Sequence, residues 1–64
     1  MTWELYEVWA ADDDGHEELI DTTKSHKEAK ALAKKALEEG AVSSWINRDT
    51  GTGDFEEVER YENG

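Results

Sequence analysis

The 64 residues carry 17 Asp and Glu against 7 Lys and Arg, a formal net charge of −10, and no Cys. Such charge weighs against direct binding to nucleic acid or anionic lipid, because a polyanion repels a polyanion unless a basic patch intervenes. The missing thiols remove disulfides and thiolate metal sites, and no apolar run reaches the roughly 20 residues of a membrane span.

A chain of this length is read as one domain, residues 1–64, with a stability of roughly 3–10 kcal/mol that must come from hydrophobic packing. Three Trp, two Tyr and one Phe lie in patterned segments, which argues for a folded chain rather than a disordered acidic one. "MTWELYEVW" has neither the basic start nor the apolar core of a signal peptide. With no Cys, the expected location is a reducing cytoplasm.

"WELYEVWAA", residues 3–11, alternates and is rich in aromatics, the pattern of a strand. "DDDG" follows with turn-forming Asp and a Gly able to take positive φ, and "HEELIDTT" reads as a second strand closing a hairpin. The period then changes. Ala29, Leu32, Ala33, Ala36 and Leu37 fall on one helical face. Ser25 is the predicted N-cap, with Glu28 completing a capping-box pattern and Thr23 as the alternative cap. Gly40 suits the left-handed position after the helix. "AVSSWINR", 41–48, is a third strand, "DTGTGD" a turn, and "FEEVERYE", 55–62, a fourth strand. The order ββαββ predicts an α+β fold, a four-stranded, mainly antiparallel sheet with one helix packed on one face.

Strand alternation assigns side chains to two faces. Tyr6, Val8 and Ala10 share one, and Trp3, Leu5 and Trp9 the other. Trp45 lies opposite Val42 and Ile46, and Val58 opposite Phe55 and Tyr61. Both faces carry large apolar groups, and one helix covers only one. The second face is then either sealed by its own side chains or open to a partner or a second copy.

The short motifs are weak. Counted from Asp12, a calcium loop of EF-hand type requires Gly sixth and Glu twelfth; Glu17 and Thr23 stand there. "DTG" at 49–51 matches the short signature of aspartic proteases but follows "NR" and has no second Asp site. "GTG" lacks the spacing of a nucleotide loop. His16 and His26 have no Cys or second His at ligand spacing. No enzyme activity, metal site or cofactor is predicted.

Charge partition is the stronger signal. Residues 24–39 hold five Lys (Lys24, Lys27, Lys30, Lys34 and Lys35) and three Glu, so the helix is mildly basic. The rest holds 14 carboxylates against Arg48 and Arg60. Many of those acids fall in predicted strands, Glu4, Glu7, Asp21 and Glu62 among them. A strand rises about 3.3 Å per residue, near the roughly 3.4 Å of axial rise per phosphate along one DNA strand. General solubility is the plainer explanation of such acidity.

The length, the absence of Cys, "ADDDGHEELID", "GDFEEVERYENG" and the ββαββ order around "KEAKALAKKALEEG" together resemble small acidic inhibitors of phages and mobile elements, the DNA-mimic and anti-CRISPR proteins. The resemblance is compositional and spans the chain. It implies a non-enzymatic inhibitor that occupies a basic nucleic-acid channel on a bacterial defence complex and blocks DNA recruitment; the expected state of the chain is a monomer or weak homodimer. Its contacts would come from Asp12, Asp13, Asp14, Glu17, Glu18, Glu56, Glu57 and Glu59, with aromatic anchors at the margin. The alternative is a structural module that self-associates through Trp3, Trp9 and Trp45.

Overall fold

A computed structural model describes residues 5–62 and gives the element order β1 (Tyr6–Ala11), β2 (Glu17–Thr23), α1 (His26–Glu38), β3 (Ser43–Asp49) and β4 (Phe55–Glu62). The strands form one sheet in the order β2-β1-β3-β4, with every neighbouring pair antiparallel. The α+β class and the ββαββ order are those read from the sequence. Trp3 and Glu4 lie outside the described residues. Among the described residues, no helix is long and apolar enough to cross a membrane.

Two local interaction sets fix the ends of α1. Ser25 is the N-cap, and its hydroxyl oxygen accepts the Glu28 N–H at 3.2 Å. The capping box is completed through a relay rather than directly. Ser25 N–H donates to Thr23 Oγ1 (3.1 Å), and that hydroxyl donates to Glu28 Oε2 (3.1 Å). Both predicted caps therefore serve one helix end. At the other end Gly40 takes φ 114°, its N–H donates to Leu37 O, and Ala41 N–H donates to Ala36 O. This is a Schellman closure, which satisfies carbonyls that the helix leaves open. It also delays the third strand. Ala41 is spent on the cap, so β3 begins at Ser43 and runs to Asp49, not over 41–48.

The helix lies against the face of Tyr6, Val8 and Ile46. Ala29 and Ala33 have no exposed surface there, and Leu32, Val58 and Tyr61 pack around them. Alanine allows the helix backbone to approach the sheet closely. Val8 and Ile46 are cross-strand partners at zero exposure, the centre of this layer. A β-bulge corrects the face assignment of β4. Ile46 pairs with Glu59 and Asn47 with Glu57, so Val58 is the extra residue. The bulge breaks strict alternation and brings Val58 to the same core as Tyr61. A second bulge in β2, between the Trp9–Leu19 and Val8–Asp21 pairs, leaves Ile20 as the extra residue.

The face away from the helix is covered at its centre by its own side chains, while Leu19 and Phe55 at its edges stay exposed. Trp9 and Trp45 are cross-strand partners with rings parallel within 5° and centroids 6.5 Å apart. Arg60, paired with Trp45 from the other side, places Cζ 4.8 Å from its ring centroid. Trp45 is only 8% exposed. On the helix-facing side, next to Ile46, the buried Ser44 hydroxyl pairs across from Ala10 and donates to Trp9 O at 2.7 Å, so it is not left unsatisfied.

Candidate functional site

The acids that the sequence groups together stand at two opposite corners of the sheet. β2 and β4 are the two edges, about 14 Å apart at the usual strand spacing. Ala11 pairs with Glu17 at one end of the strands, whereas Tyr6, Arg48 and Glu56 line up at the other. The β1–β2 end therefore gathers Asp12, Asp13, Asp14, Glu17 and Glu18. Glu56, Glu57 and Glu59 belong to a separate site on β4.

At the β1–β2 turn the backbone conformation follows from Asp12 and Gly15. Asp12 Oδ1 accepts the N–H groups of Asp14 (3.0 Å) and His16 (2.9 Å), and Gly15 takes φ 85°. This is the Asx-turn use of an aspartate. Asp13 and Asp14 are not needed for it. One carboxylate oxygen from each of Asp12, Asp13 and Asp14 lies within 4.8 Å of the others, all exposed. Among the described residues, no cation pairs with any of these three, nor with Glu17 or Glu18.

The β4 acids are compensated. Glu56 accepts from Arg48, and Glu57 lies 3.4 Å from Arg60 Nε. Glu59 faces the helix, with Lys30 Nζ at 3.3 Å and His26 Nε2 at 3.1 Å, and it accepts the Tyr61 hydroxyl. His26 stacks on Tyr6 at 4.9 Å, and its buried Nε2 sits off the line a hydrogen bond to Glu59 requires. The Tyr61 hydrogen bond is the main influence holding the Glu59 carboxyl below its ordinary value, with Lys30 and His26 assisting against desolvation. The same bond, aided by burial, pushes Tyr61 up to about 12. This cluster clamps the start of α1 to β4 and leaves Glu59 little freedom to meet a partner.

Two of the helix cations, Lys30 and Lys34, reach the same edge. Lys30 reaches Glu59, and Lys34 Nζ lies 6.0 Å from the Tyr61 ring centroid. Basic side chains thus neutralise the β4 edge and leave the β1–β2 end strongly negative. Glu39, the C-cap residue of α1, joins that end together with Ile20, Ala36 and Gly40. Sequence reasoning missed these four. The only hint was "ALEEG", which marks a helix end but not the strand it approaches.

No protein-family model, curated protein or solved structure matches the chain in comparisons with known proteins.

Proposed function

We propose that the chain acts by binding, as a non-enzymatic acidic protein that docks its β1–β2 end onto a basic, nucleic-acid-binding surface of another protein. The supporting observation is the uncompensated charge of Asp12, Asp13, Asp14, Glu17 and Glu18, set against the paired acids of β4. Three carboxylates with one oxygen each within 4.8 Å of one another concentrate negative charge on a length scale comparable to the roughly 3.4 Å axial spacing of phosphates along a DNA strand. Charge of this kind steers association and makes it salt-sensitive. In the setting of the acidic inhibitors that the chain resembles, the target is a bacterial defence complex whose DNA channel is blocked, as in anti-CRISPR action.

The test is capture from nuclease-treated bacterial lysate with salt-step elution, comparing the wild-type chain with the triple variant Asp12→Asn, Asp13→Asn and Asp14→Asn. Asparagine keeps the Oδ1 that Asp12 uses in the turn, so the fold persists while three charges go. The expected result is a nucleic-acid-binding protein that elutes at moderate salt, is displaced from DNA by the wild-type chain, and is lost with the variant. Equal retention by both forms removes this end from the interface. Self-association through Trp9 and Trp45 has less support, because Trp45 is already covered within the chain; a mass that doubles with concentration would restore it.

A further inference from the structure

Four strands at the usual spacing span about 14 Å, while a helix with its side chains is about 10–12 Å wide. α1 packs on β1, β3 and β2 more than on β4, yet beside its C-terminal end the helix-facing side of β2 is left partly uncovered, with Glu18 and Ile20 exposed. An open groove of about 600 Å³ lies there, with Ala10, Ile20, Ala36 and Ala41 among its lining residues. These are small except for Ile20, which the β2 bulge leaves 42% exposed. Asp12, Glu17, Glu18 and Glu39 also line the groove. The negative end of the α1 dipole points toward it and adds to their field.

We propose that this groove is the anchor of the acidic docking face, receiving one aliphatic or aromatic side chain from a partner protein segment that carries lysine or arginine on either side of it. The inference rests on the acidic-docking reading above and names its apolar component. Both requirements come from the same place on the surface. The walls reward burial of an apolar group, and the rim has carboxylates with no cation among the described residues. A second copy of this chain is a poor occupant. Its basic surface is the outside of α1, where Lys27, Ala31, Lys34 and Lys35 offer nothing larger than alanine to fill the groove. Nucleic acid and anionic lipid are repelled by the rim.

The test is amide NMR titration of the whole chain, at low salt, with the synthetic peptides Lys-Lys-Leu-Lys-Lys and Lys-Lys-Ser-Lys-Lys. The leucine peptide is expected to shift the amides of Ile20, Ala36, Gly40 and Ala41 and to bind up to about tenfold more tightly than the serine peptide. Ala36→Leu, which fills the groove at a helical position, should erase that difference while leaving the serine peptide's effect on residues 12–18 intact. If both peptides bind equally and shift only the acidic residues, the groove is not an anchor, though the acidic docking face stands. If neither shifts residues 12–18, the docking face itself fails, and the anchor with it.

Discussion

Replacing Trp45 by alanine tests whether the sheet face away from the helix is a true second layer. Trp45 is 8% exposed, although no helix covers it. A tryptophan buries about 150–250 Å², which at about 25 cal/mol per Å² is an upper estimate of roughly 4–6 kcal/mol. Loss of the Trp9 stack and the Arg60 contact adds to this, and relaxation of both neighbours subtracts from it. The expected cost is therefore about 3–5 kcal/mol, as for other buried Trp truncations. Set against a total of roughly 3–10 kcal/mol, that loss removes about 30% of the stability or more. Urea unfolding followed by far-ultraviolet circular dichroism is the assay. With a slope of about 1 kcal/mol per M, the midpoint should fall by about 3–5 M, or the chain should be unfolded without urea. Trp9→Ala should cost less, because Trp9 is only half-buried. A Trp45→Ala chain within about 1 kcal/mol of wild type would refute the sealed-layer reasoning and treat the stack as surface decoration.

Ser25→Ala removes the N-cap acceptor and should cost about 0.5–2 kcal/mol in the same assay. Gly40→Ala meets no atom within 4 Å of the new Cβ, so its cost of about 1–2 kcal/mol comes from backbone conformation alone; an unchanged midpoint would contradict that. Glu59→Gln should move the Tyr61 ultraviolet titration down from about 12 toward the ordinary tyrosine value near 10. In the wild type, Tyr61 is raised on folding, so its contribution is complete below the unfolded value and disappears as pH climbs through the folded one. Glu59 is lowered on folding, so its contribution is present at neutral pH and disappears as pH falls through its depressed value. In unfolding curves of the Glu59→Gln chain the acid-side dependence due to Glu59 should be absent and the alkaline one weakened, since burial still raises Tyr61.

The periodic segments were legible because their signals are local. Ala29, Leu32 and Ala33 recur at helical spacing, Ser25 and Gly40 close the helix with their own backbone neighbours, and Tyr6, Val8 and Ala10 alternate with Glu7 and Trp9. Alternation failed at Val58, where an extra residue in the strand rotates everything that follows it. Nothing in "FEEVERYE" marks the bulge, because it depends on how β4 meets Ile46 and Glu59 meets the helix.

Charge shows the same division. The sequence alone determined the −10 balance, the basic helix and the two acidic segments, since these are sums over residues. Only the tertiary structure decided that the segments occupy opposite corners, that Arg48, Arg60 and Lys30 compensate one of them, and that the other borders a groove beside Ile20. Strand order and the placement of one helix over β1 and β3 set those distances. Coulomb interactions depend on distance, which residue order along the chain does not contain.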